Sequence, residues 1–294
     1  MSRKCRNAAV PVSARRTAIA ALLVGVVAVA RLNAAANLYS LERETALGKQ
    51  LAAEVERQVK LADDPILVEY VNRVAQKIAH ESDLAFPVSV KVIESGELNA
   101  FTLPAGHIYV NTAMLRLTES EAELAFVLAH EIGHVSARHS TEQASVQQLT
   151  KLGTIPLVLF GGGWARALAE LAAEPGLKKV AREFEAQADQ LGITFLARCG
   201  YDPTAAVDFF ERIEGAERKT PGRVARLYGD HPITAARIAA TEKRLNAIVG
   251  TRAEWVINTS EYEEMRLRMV AIEERREQEA GTASAPALIH GEKR

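Results

Sequence analysis

Residues Leu124–His139 read LAFVLAHEIGHVSARH, a stretch in which two histidines four apart, His130 and His134, enclose a glutamate, Glu131. Four residues is close to one helical turn, so the two imidazoles share a helix face about 6 Å apart and can aim at one ion. Zinc takes imidazole nitrogens at about 2.0–2.1 Å, a reach that this spacing permits. Glu131 lies about 100° around the helix from His130, which turns its carboxylate toward an ion-activated water rather than toward the ion. The plainer reading is a polar stripe of histidines facing solvent or capping nearby carbonyls. Ala129, Ile132, Gly133 and Val135 oppose it, because they make the helix apolar around the imidazoles, and a buried imidazole without a partner is costly.

The surrounding pattern is mostly helical. Thr118-Glu119-Ser120-Glu121 has the form of a capping box, with Thr118 accepting from the first turn and Glu121 reaching back, so a helix is predicted to begin there and run past His139. Upstream, 41–82 places apolar residues three and four apart with a break around Asp63-Asp64-Pro65, which reads as two amphipathic helices. Between them and the histidine helix, Val88, Val90 and Val92 alternate along FPVSVKVIES, and HIYVNT follows a Pro104-Ala105-Gly106 turn, giving short strands of a small sheet. Downstream, LKKVAREFEAQADQLGITFLARCG predicts a long helix ending at Gly200, and Tyr201-Asp202-Pro203 opens another through Ile213. A turn over Gly229–Pro232 leads into a further helix, and a charged helix from Ser260 to Glu279 precedes a loose tail. The fold class is therefore α+β, predominantly helical, with a small β-sheet beside the HExxH helix. The apolar segment Ile155–Ala173, hinged at Gly161-Gly162-Gly163, reads as a buried hairpin of the core or as a lid in peripheral contact with a membrane.

The chain has 294 residues, 48% of them hydrophobic, enough for one large domain with extensions. Residues 1–36 have a secretory signal layout: Arg3, Lys4, Arg6, Arg15 and Arg16 precede an apolar run from Ala18 to Ala30, and Ala34-Ala35-Ala36 offers a cleavage site. That run is shorter than the roughly 20 residues a membrane-spanning helix needs, which favours cleavage over retention as an anchor. Removing the six basic residues of this leader from a formal net charge of −1 leaves about −7 for a chain starting at Asn37, an unsuitable balance for binding nucleic acid. The cysteines are Cys5, lost with the leader, and Cys199, so no internal disulfide is expected in the mature chain. A serine nucleophile finds no G-x-S-x-G elbow, and Cys199 has no histidine beside it in sequence.

Two histidines are too few for a catalytic zinc, which uses three protein ligands and a water. The segment REFEAQADQLG offers Glu183, Glu185 and Asp189 on a helix that can pack against the first. Glu185 and Asp189 are again four apart, so one can bind the ion while the other accepts an imidazole N–H.

NAFTLPAGHIYVNTAMLRLTESEAELAFVLAHEIGHVSARH, followed by REFEAQAD and then YGDHPITAAR, closely resembles the M48 family of zinc metallopeptidases, the Ste24 and Oma1-like group with its bacterial periplasmic members. The resemblance runs from about Leu41 to Ile257 and implies a zincin-like domain over 37–259, with 260–294 as a charged helix and tail. It implies one Zn2+ per chain held by His130, His134 and Glu185, with Glu131 as the base and Asp189 orienting a ligand histidine. Glu183 falls outside the ligand position, and Gln187 stands where the family more often has glutamate, a departure expected to leave the metal intact. His231 and Arg237 match the HPxxxxR element, whose histidine approaches the metal and whose arginine lies near the substrate cleft. Independently, a histidine pinned before Pro232 can donate to a developing oxyanion, or be an exposed turn residue, and Arg237 can equally be a surface charge. NAFTLP matches the strand along the cleft, where Asn99 and Ala100 would offer backbone groups to an extended peptide. His107 and His139 match no family role and are expected at the surface or behind a ligand. The implied activity is hydrolysis of peptide bonds in envelope proteins during quality control, in an exported protein on the periplasmic side. A second reading is a chaperone-like factor that binds clients or assists outer-membrane assembly, with cleavage secondary.

Overall fold

The computed structural model describes residues 37–150, 175–219, 231–251 and 254–283. The leader, the 155–173 hairpin, the start of the 229–232 turn and the end of the tail lie outside the described residues.

Helix α1 (Leu41–Gln58) begins at Ser40, whose side chain accepts from the Arg43 N–H, and α2 (Pro65–His80) begins at Asp64, which accepts from Ile66 and Leu67. Proline at the first position of α2 costs nothing, because that N–H has no helical partner. Strands β1 (Ser89–Ile93), β2 (Ala100–Leu103) and β3 (His107–Asn111) form one sheet in the order β1-β3-β2, with β1 parallel and β2 antiparallel to β3. Strand alternation divides the sheet between two cores. Val90, Val92, Ile108 and Val110 face the main core with α2, while Ile93, Leu103 and Tyr109 pack with Ala52 and Val55 of α1.

After the short α3 (Thr112–Leu117) comes α4 (Glu121–Ser136), the histidine helix, buried from Glu121 through Val135. Its N-terminus lies two residues beyond the expected one. Thr118 is committed to the preceding helix, where its hydroxyl donates to the Leu115 carbonyl at 2.7 Å, and Ser120 takes the cap instead, accepting from the Glu123 N–H. Glu123 reaches back to the Glu119 N–H, whereas Glu121 accepts from the Tyr201 hydroxyl at 2.6 Å. The remaining N–H groups of the first turn are met by chain from far downstream: Asn258 Oδ1 accepts from Glu121 at 2.8 Å and the Ile257 carbonyl from Ala122 at 3.0 Å. A buried helix start needs such partners.

The far end also differs from expectation. Helix α4 stops at Ser136, Arg138 adopts a left-handed φ of 56°, and a new helix, α5 (His139–Thr150), starts in a different direction. Helices α6 (Pro175–Arg198), α7 (Ala205–Lys219) and α8 (Ala235–Ile248) complete the layer around α4. Helix α9 (Ser260–Ala283) is charged outside but sets Tyr262, Met265, Met269 and Ile272 into the main core. It therefore shares the hydrophobic core of the preceding elements. No helix of the described residues is long and apolar enough to cross a membrane.

Candidate metal centre

Helix α4 packs most extensively on α6, and glycines allow their close approach. A Cβ on Gly133 would stand 3.0 Å from the Ala188 carbonyl oxygen, and one on Gly192 would stand 3.1 Å from the His130 nitrogen. The crossing places the Glu185-Asp189 face of α6 against the His130-His134 face of α4.

Four side chains converge there: His130, His134, Glu185 and His231 each offer a ligand atom, all within 4.8 Å of one another. His130 Nε2 lies 3.1 Å from His134 Nε2 and 3.5 Å from Glu185 Oε2, and His134 Nε2 lies 3.4 Å from Glu185 Oε1. A tetrahedron with bonds of about 2.0–2.1 Å has donor-to-donor edges of about 3.3 Å, so these three groups have the spacing of one face of a tetrahedral metal site. Glu185 Oε2 is buried with no aligned hydrogen bond, although Arg237 NH1 is 2.9 Å away. The two Glu185 oxygens face different imidazoles, Oε2 toward His130 Nε2 and Oε1 toward His134 Nε2, an arrangement that suits a cation between them, and the donor set of two histidines and a carboxylate suits zinc.

The donors are held from behind. Asp189 Oδ1 is 3.0 Å from His130 Nδ1, and both Asp189 oxygens accept from Arg237, through Nε and NH2, at 2.7 Å. Arg237 also donates to the His231 and Pro232 carbonyls, and its guanidinium stacks over Phe210 at 5.3 Å. It is only 6% exposed. This corrects both readings made of it from sequence. It is no surface charge, and its guanidinium is occupied by Asp189, behind His130, and by the donor Glu185 instead of facing a peptide. His139, placed without a role, lies with Nδ1 2.9 Å from His134 Nδ1.

Burial alone would raise the Glu185 carboxyl, but the charge of His231 and hydrogen bonds with three histidines hold it well below the usual carboxylate range. Asp189 is likewise lowered, against its burial, by His130 and Arg237. Burial would depress His130, yet Asp189 and Glu185 outweigh it and lift the imidazole to about 10. His134 is lowered by burial, aided by the neighbouring imidazoles. The pocket is thus organised around concentrated negative charge, which favours a cation.

Glu131 stands beside this face without joining it. Its Oε2 accepts from the Thr102 hydroxyl at 2.7 Å, and its Oε1 is 3.7 Å from His231 Nε2. Thr102 escaped sequence reading because a threonine inside a strand carries no signal of its own. His231, 8% exposed, is no turn residue in solvent: its Nδ1 lies 2.9 Å from Glu185 Oε1 and 3.4 Å from His130 Nε2, among the donors themselves.

Strand β2 is the edge of the sheet nearest α4. The Asn99 carbonyl accepts from the Asn111 N–H at 2.9 Å, so Asn99 turns its backbone inward to β3. Alternation then turns the N–H and C=O of Ala100 and Thr102 outward. Of the two residues expected to meet a peptide, Ala100 has the right orientation and Asn99 does not.

Residues 65–245 match peptidase family M48. The β-barrel assembly-enhancing protease of Escherichia coli (strain K12) is 29% identical over 251 residues, covering 78% of this chain and 51% of that protein. The mitochondrial metalloendopeptidase OMA1 of Schizosaccharomyces pombe is 32% identical over 182 residues, 60% of this chain and 52% of that protein. OMA1 of Saccharomyces cerevisiae is 30% identical over 151 residues, 50% of this chain. The chain spans about half the length of the curated relatives it matches.

Proposed function

Since the chain belongs to peptidase family M48, we propose that it is a zinc-dependent endopeptidase in which His130, His134 and Glu185 hold the ion and Glu131 is the general base. The observation that carries this reading is the tetrahedral face of three donors with the Glu131 carboxylate poised at its side. A bound zinc lowers the pKa of water and polarises a carbonyl oxygen. Glu131 takes the proton from the attacking water and returns it to the leaving amine, and Thr102 holds the carboxylate in line while it does so. Asp189, braced by Arg237, keeps the His130 proton on Nδ1 and so leaves Nε2 free to ligate. A peptide adds as a strand along β2, pairing with the outward groups of Ala100 and Thr102. His231, whose Nδ1 lies 2.9 Å from Glu185 Oε1 among the donors, is the imidazole placed to donate to the oxyanion.

One relative is named for β-barrel assembly, and the leader-like residues 1–36 point to export. We therefore assign this chain to the periplasmic side, acting on envelope proteins in quality control. A chaperone-like client-binding role is the competing reading. The two separate on the Glu131→Gln variant of the full chain, assayed for bound metal and for casein digestion beside wild type. One zinc per chain in both proteins, with cleavage lost only in the variant, is the expected result. Cleavage that survives in a clean preparation of the variant, or a wild type that binds no metal, overturns the proposal. Rescue of envelope defects by the variant would favour client binding.

A further inference from the structure

We infer that His139 is a positioning residue that fixes the tautomer and tilt of His134, and that the helix break at Arg138 is the device that brings it into place. The inference rests on the metal reading above. On an unbroken helix His139, five residues after His134, would lie about 140° around and about 7.5 Å along, out of contact. The chain instead turns through Arg138 at φ 56°, a conformation that non-glycine residues seldom adopt, and the turn is secured from a distance. Arg138 Nε donates to Glu44 Oε2 and its NH2 to the Tyr39 carbonyl, both at 2.7 Å. Thr141 donates to the same Glu44 oxygen at 2.9 Å. Glu44, on α1, is only 2% exposed.

Redirected in this way, the His139 ring stacks on Phe184 of α6, with centroids 4.3 Å apart and planes 18° apart. Its Nδ1 lies 2.9 Å from His134 Nδ1 and its Nε2 3.3 Å from Gln187 Oε1. Proton placement along this line has one consistent solution. His134 Nε2 faces His130 and Glu185 as a ligand atom, so its proton sits on Nδ1 and is donated to His139 Nδ1. His139 therefore carries its own proton on Nε2 and donates it to the Gln187 amide oxygen. The chain ends in an uncharged acceptor, which gives Gln187 a physical place.

The two ligand histidines are thus oriented by different chemistry, His130 by a carboxylate and His134 by a neutral imidazole and amide.

The test is zinc affinity of the full chain, measured by competition with a chromophoric chelator, together with the visible spectrum of the cobalt(II)-loaded protein. His139→Phe keeps the ring and its stack on Phe184 but removes the acceptor, and a 10- to 100-fold weaker affinity with an altered cobalt spectrum is expected, on the order found for such outer partners. His139→Gln restores an acceptor and should recover most of the loss. Wild-type affinity in His139→Phe, or no recovery in His139→Gln, overturns the inference. Should His139→Phe fail to fold, Gln187→Leu reads the outer end of the same chain, and unchanged affinity and spectrum there overturn it equally. Absence of metal binding by wild type defeats the metal reading itself, which keeps the two failures apart.

Discussion

Replacing Arg237 with Met should destabilise the protein severely, because its guanidinium is a buried cation in direct contact with two buried carboxylates. Both Asp189 oxygens accept from it at 2.7 Å, Glu185 Oε2 lies 2.9 Å from its NH1, and neither acid is more than 5% exposed. Removing one partner of a buried pair costs about 3–5 kcal/mol, since the other charge is left without compensation. In a chain of this size that corresponds to a melting temperature lower by roughly 6–20 °C. Arg237→Lys keeps the charge but loses the two-point contact with Asp189, and it should fall between Met and wild type. The assay is urea unfolding followed by circular dichroism on chelator-treated protein, repeated with zinc, which should restore part of the loss by placing positive charge beside Glu185. Arg244→Met, exposed on the same helix, is the control and should change stability by less than about 0.5 kcal/mol. A loss in Arg237→Met of under about 1 kcal/mol would refute the reasoning, because it would mean that the two carboxylates do not depend on this cation.

Two further outcomes follow from single contacts. Thr102→Val preserves shape but removes the donor to Glu131, and a hydrogen bond to a charged group of this kind is worth about 1.5–3 kcal/mol. A fall in kcat of about 10- to 100-fold, with bound zinc and KM little changed, is expected in peptide hydrolysis assays, and an unaltered kcat would disprove the role. Asp64→Ala removes the cap of α2 and the contact with Arg268, costing about 1 kcal/mol at neutral pH by urea unfolding. Burial raises the Asp64 carboxyl, but hydrogen bonds from Leu67 and Arg268 outweigh it and hold the group below 3.8. Its contribution is therefore complete above the unfolded value and disappears as pH falls through the lower folded one, so the stability gap between variant and wild type should close in acid. A difference that persists unchanged to pH 2 would contradict that sign.

Much of the site can be read along the chain because its signals are local. The four-residue spacing of His130 and His134, and of Glu185 and Asp189, is set by helical geometry wherever those helices lie, and alternation in SVKVI and HIYVN assigns their strand faces. The start of α4 was less legible. Thr118 and Ser120 are both good caps, and the choice between them depends on the Leu115 carbonyl that claims Thr118.

By itself, then, the sequence determined most of the helices, the small sheet, the paired candidate donors and each of the M48 motifs, since each of these depends on residues within a few turns of one another. Tertiary structure alone decided that α4 ends before Arg138, because the left-handed turn is held by Glu44, 94 residues away in the chain. It also decided that His139 backs His134, that Thr102 holds Glu131 across 29 residues, and that Arg237 braces Asp189 across 48. Those roles arise from the crossing of α4 and α6 and from the sheet edge laid beside them, and periodicity within a segment carries no information about which distant segment its polar groups will meet.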